Sequence, residues 1–260
     1  MAAVVFSEPF PWPARDNAGS IPDDPFPMPR SRYACLLALS FATAAGAADD
    51  ATRVFVENGE LHYAGYLDDA ANGRLFALYD SLAIKPTVLA IESKGGIVDF
   101  GLDLGDWVYR KGLDVKVSAY CLSSCANYVF TAAPRRTVSN VAVVGFHGGM
   151  SSVTFTLGGE QKAKYDAMTK GQQDAFLADQ RKDIEPVLQR ETAFFKKIGV
   201  RQDITTYGEA SRFDLPDADG WTFTREDFAR FGVEHIDVID GPWRPAMPGN
   251  AIRFTTIEVD

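Results

Sequence analysis

The sequence predicts an α/β layer fold with parallel strands, built as one domain. Short apolar runs suited to buried strands alternate with segments of helical spacing, and glycine pairs and small-residue turns mark the junctions. At 260 residues and 46% hydrophobic content, the chain is long enough to bury one substantial core. Strand, helix and strand in that order imply right-handed crossovers and a mostly parallel sheet.

The elements follow in sequence. Residues 53–57 and 61–66 read as short strands around a glycine turn, 69–82 as a helix and 87–92 as a buried strand. The order then repeats: 99–111 has helical spacing, 115–119 is strand-like, 125–133 is a short apolar helix and 141–146 is another strand. Beyond them, 151–157 alternates like an exposed strand. Segment 160–197 is long, charged and helical, with Leu177, Ile184, Leu188 and Phe195 on one stripe. Pro186 is expected to break it into two helices. The stripe suits docking on the same subunit, with an oligomer contact as the alternative.

The N-terminal region carries a separate signal. Arg30 and Arg32 precede an uncharged run over 33–48, too short to span a bilayer but suited to the apolar region of a secretory signal, and Ala45, Gly46 and Ala47 supply small residues for cleavage. The expected organisation is therefore an unstructured leader over 1–27, a signal peptide over 28–48 and a single domain over 49–260. Translation from Met28 would leave the leader out of the product; a disordered extension is the alternative. The expected location is periplasmic or secreted. A formal charge of −9 argues against nucleic acid or an anionic membrane surface as the main partner, and no stable membrane span is expected after signal removal.

Cysteine usage agrees with export. Cys35 would leave with the signal, so the mature chain keeps Cys121 and Cys125. Four positions apart, they can pair only on a tight turn or a first helical turn; two buried, reduced thiols are the alternative. No second cysteine pair or histidine pair stands at metal-ligand spacing, so no metal and no cofactor is expected.

Three separated features point to chemistry. Gly95 and Gly96 close a strand beside a helix start, where backbone amides can hold an oxyanion; Ser124, on a small-residue turn, supplies an attacking oxygen; His147, after the next apolar run, supplies a base. Each has a plainer reading. A glycine pair is often only a turn, Ser123 and Ser124 both suit a helix N-cap, and His147, one of three histidines with His62 and His235, could be a satisfied core or surface residue. Their order and spacing favour a serine hydrolase centre.

The segments Ser93-Lys94-Gly95-Gly96, Tyr120 to Ala126, Val144 to His147 and Thr224 to Val233 resemble the Clp-protease-like branch of the ClpP/crotonase superfamily, over about 53–240. The resemblance implies a superhelix of repeated β-β-α units with a mostly parallel sheet. It also implies Ser124 as nucleophile, His147 as base, and an oxyanion hole from the Gly95-Gly96 loop and Cys125. The implied activity is peptide or amide hydrolysis on a peptide or protein substrate, with homo-oligomerisation open. Lys94 stands where the family has proline, Cys125 where it has methionine and Ala126 where it has glycine. The family's orienting aspartate aligns with Asp219, with Asp217 as the neighbouring alternative. Three rival readings stay open: a Ser-Lys peptidase like signal peptide peptidase A, with Lys162, Lys164 or Lys170 as base; an acyl-CoA enzyme of crotonase type; and a non-catalytic exported binding or scaffold protein.

Overall fold

The computed structural model describes residues 52–152, 159–215, 218–248 and 252–260. The expected leader and signal, most of the strand expected over 151–157, and Asp217 lie outside the described residues.

The chain opens with a hairpin. Strands β1 (Arg53–Glu57) and β2 (Glu60–Ala64) pair antiparallel around Asn58-Gly59, whose φ values of 52° and 78° are those of a two-residue turn matched to strand twist. Helix α1 (Asp69–Ser81) starts where the Asp68 carboxylate accepts from the Ala71 amide at 2.8 Å. Strand β3 (Val88–Glu92) then pairs parallel with β2, and α2 (Val98–Lys111) ends on left-handed Gly112.

Two strands per repeat follow. β4 (Asp114–Val117) continues the main sheet, while β5 (Tyr120–Leu122) turns out of it and leads into a π-helix, Cys125–Phe130. β6 (Arg136–Ser139) returns to the main sheet and β7 (Val143–Gly145) leaves it to pair parallel with β5. The chain then runs through α3 (Gly159–Asp166), α4 (Lys170–Ile198), β8 (Gly220–Phe223), α5 (Arg225–Arg230), β9 (Ile236–Ile239) and β10 (Phe254–Ile257). The main sheet has the order β1-β2-β3-β4-β6-β9, and all its pairs except the first are parallel. The expected α/β class, with repeated β-β-α units and a mostly parallel sheet, is the one observed.

The strands that leave the main sheet make a second ladder, and the site sits on it. The bridges Leu67 to Gly96 and Ser93 to Cys121, the β5–β7 pair and the bridge Phe146 to Trp221 place the segments ending in Gly96, Ser123 and His147 side by side. Fully buried Phe146, Phe223, Phe228 and Phe231 pack beneath that ladder, and Tyr128 and Phe195 pack between the π-helix and α4.

The break in the long charged segment is not at Pro186. α4 runs through Pro186, and the chain interrupts at 167–169, where Thr169 and Gln172 form a reciprocal capping box. Pro186 lies on the exposed side, where the carbonyl it leaves without a partner can take water. The expected stripe docks locally through Phe195, with Phe194 beside it. The α4 face also carries Arg190, which reaches Asp99 and Asp103 on α2 at 2.8 and 2.5 Å.

Candidate active site

The serine that meets His147 is Ser123, the neighbour of the expected Ser124. His147 Nε2 lies 2.7 Å from the Ser123 hydroxyl, whereas the Ser124 hydroxyl donates to the Gly96 carbonyl at 2.9 Å and its residue is only 3% exposed. Ser124 thus ties the turn to the glycine loop. Ser123 is the one presented to the imidazole.

The backbone explains the exchange. Ser123 has φ +55°, a left-handed conformation that costs a non-glycine residue about 1–2 kcal/mol, on a sharp strand-to-helix turn. Its amide donates to the Gly145 carbonyl at 2.9 Å and its carbonyl accepts from the Asn127 amide at 2.8 Å, so the turn is held from both sides. Such strain persists only where the surroundings over-determine it.

The expected disulfide is present, between Cys121 and Cys125. It closes the few residues that contain Ser123, and both cysteines are fully buried. So short a loop gains about 2 kcal/mol from the cross-link in the chain-entropy account. The double variant Cys121→Ala with Cys125→Ala should therefore lose about 2 kcal/mol in denaturant melts.

The glycine loop meets this turn closely. Gly95 has φ +98°, and a Cβ there would stand 2.7 Å from Ser123 Cβ and 2.8 Å from the Leu122 carbonyl; at Gly96 it would stand 2.3 Å from the Leu67 carbonyl. The two amides are not equivalent. Gly95 N donates to Ser93 Oγ at 3.1 Å, while among the described residues neither Gly96 N nor Ser124 N has an acceptor. The donors left over are therefore Gly96, one of the expected glycine pair, and Ser124, the residue before the expected Cys125.

The histidine end is fixed by its successors. Asn127, on the π-helix, donates from Nδ2 to the Gly148 carbonyl at 2.9 Å. The fully buried Glu191 of α4 accepts from the Tyr128 hydroxyl at 2.7 Å, from the Met150 amide at 3.2 Å and from Gln202 Nε2 at 2.8 Å. These bonds join the helix behind the serine to the loop behind the histidine. Sequence reasoning missed Glu191; its only signal is a carboxylate three and four positions before Phe194 and Phe195, on the face that docks.

His147 opens onto a cavity of about 200 Å³ lined by Tyr66, Lys94, Gly96, Leu122, Ser123, Asp219, Ile252 and Phe254. His147 is exposed at the mouth of this cavity, yet the protein packed around its ring still lowers its pKa from the ordinary 6.5, while a hydrogen bond to its own backbone works in the opposite direction. The ring is thus neutral at neutral pH. Asp219 shares the cavity, but its carboxylate accepts from the Arg253 amide at 2.7 Å, and among the described residues no acid hydrogen bonds to His147. Of the lysines considered as an alternative base, Lys162 pairs with Asp166 and Lys170 with Asp174 along their own helices, and none of the three lines the cavity; Lys94 does. His62 stacks on Phe55 in the hairpin and His235 lies beside Glu234, both apart from this cavity.

No protein-family model matches the chain, and no curated protein matches it. Among solved structures it is similar to an enoyl-CoA hydratase from Thermoplasma volcanium, with 7% identity and TM-score 0.28 over 35% of this chain and 49% of that one. A second is a Pseudomonas aeruginosa protein, with 11% identity and TM-score 0.30 over 43% of this chain and 61% of that one. A third is a putative enoyl-CoA hydratase from Streptomyces coelicolor, with 16% identity and TM-score 0.25 over 41% of this chain and 52% of that one. The chain thus spans about half to three fifths of each, and the fold description rests on its own strand order and ladders.

Proposed function

We propose that this chain is an exported serine hydrolase of the Clp-protease-like kind that cleaves acyl bonds, amides included, through Ser123 and His147. The 2.7 Å contact between His147 Nε2 and Ser123 Oγ, at a cavity that Gly96 also lines, carries the reading. Export is supported by the secretory pattern over 28–48 and by the disulfide, which suits an oxidising compartment.

His147 takes the proton as Ser123 Oγ bonds to the substrate carbonyl carbon, and the carbonyl oxygen becomes an oxyanion facing the Gly96 and Ser124 amides. Collapse expels the leaving group, which receives the proton from His147, and leaves an acyl-enzyme. Water, deprotonated by the same imidazole, attacks that ester and regenerates the Ser123 hydroxyl. Losing one amide donor costs about 2.7–4 kcal/mol of transition-state stabilisation in comparable sites.

The pH dependence follows from the lowered histidine pKa. Only neutral imidazole accepts the proton, so the acid limb of kcat/KM should fall below 6.5. Stability should move with it: the folded state resists protonation, so stability is full above 6.5 and declines as pH drops through that value towards the lower folded pKa. Hydrolysis of activated acyl esters across pH, with His147→Ala as control, tests this reading. Turnover that is lost in the variant supports it; undiminished turnover in His147→Ala rejects it and would favour Lys94, the cationic residue of the cavity, as base.

A further inference from the structure

The carboxy-terminal segment forms one wall of the cavity, although it lies more than a hundred residues from Ser123 in sequence. β10 pairs parallel with β8, placing Phe254 opposite Gly220. The Phe254 ring lies directly on two glycines: a Cβ at Gly145 would come 2.3 Å from its Cε1, and one at Gly220 would come 2.8 Å from the same atom. Gly145 is two residues before His147 and Gly220 directly follows Asp219, so the ring is seated against both strands that border the imidazole. Asp219 fastens the segment there, donating its amide to the Arg253 carbonyl at 2.8 Å and accepting the Arg253 amide at 2.7 Å. Further along, buried Ile257 and Val259 anchor the strand, and the Val259 amide donates to Asp227 at 3.3 Å.

Between this wall and the Ser123 turn the lining is mostly apolar, from Tyr66, Leu122, Ile252 and Phe254, with Lys94 and Asp219 as its charged members. At about 200 Å³ the space is smaller than the roughly 300–1,000 Å³ of pockets that enclose a drug-sized ligand. We propose that Ile252 and Phe254 are the specificity-determining residues of the site, and that they restrict it to substrates whose acyl side is short and apolar. This rests on the hydrolase reading. Apolar pockets discriminate by length, about 10–200-fold for each methylene that fits or fails to fit.

The test is a series of p-nitrophenyl esters, from acetyl through butyryl and hexanoyl to decanoyl, with fluorophosphonate labelling measured in parallel. The wild type should prefer the short chains. Phe254→Ala should raise the ratio of kcat/KM for decanoyl over butyryl ester by about tenfold or more, and Ile252→Trp, which fills the space, should lower it. Should truncation at Phe254 unfold the protein, the Ile252→Trp result decides alone. An unchanged ranking in the folded variants, with labelling retained, overturns the proposal and leaves the hydrolase reading intact. Absence of both turnover and label in the wild type overturns the hydrolase reading itself.

Discussion

Ser123→Ala should abolish turnover and covalent labelling while the fold persists. The hydroxyl it removes is the one 2.7 Å from His147 Nε2, and single losses from comparable serine centres lower kcat by about four to six orders of magnitude. Ser124→Ala should behave differently. Its hydroxyl is spent on the Gly96 carbonyl, so the variant should keep its label, lose about 1 kcal/mol of stability and show a modest fall in kcat as the glycine loop loosens. Ser123→Gly adds a complementary readout: relief of the left-handed φ should raise stability by about 1 kcal/mol even as activity disappears. Labelling assays and thermal melts on the three variants separate these outcomes.

Glu191→Ala should be strongly destabilising although it lies away from the cavity. It would strip the acceptor from the Tyr128 hydroxyl, the Met150 amide and Gln202, and buried donors left without partners cost about 1–3 kcal/mol each, less where water enters the space. A loss of about 3 kcal/mol is expected, which for a domain of this size lowers Tm by about 6–12 °C. Because Met150 follows the His147 loop, kcat should drop while KM changes little. Glu191→Gln keeps an acceptor oxygen and should restore most of both losses.

Much of this architecture is legible in the sequence because local chemistry and global fold agree. Asn58-Gly59 specifies its hairpin through positive φ, apolar runs give β3 and β7, and the cysteine pair marks the turn that carries the serine. The site is legible only to within one residue. Ser123 and Ser124 are the same residue type, and what separates them is a backbone dihedral and which side of the second ladder each hydroxyl reaches. The same backward step carries the second available amide from Cys125 to Ser124, while of the expected glycine pair Gly95 is used up on Ser93 and Gly96 is left. The bonds between Asp219 and Arg253 join positions 34 apart in sequence, and no local pattern announces them. Pro186 misleads for a related reason: a helix interrupts where an alternative cap exists, and Thr169 with Gln172 supplies one.

The most direct test of the central claim is tandem mass spectrometry of the protein after fluorophosphonate treatment. The account requires the added mass on Ser123, absent when His147 is replaced by alanine. Mass on Ser124, or an intact protein carrying no adduct at a pH where His147 is neutral, contradicts it.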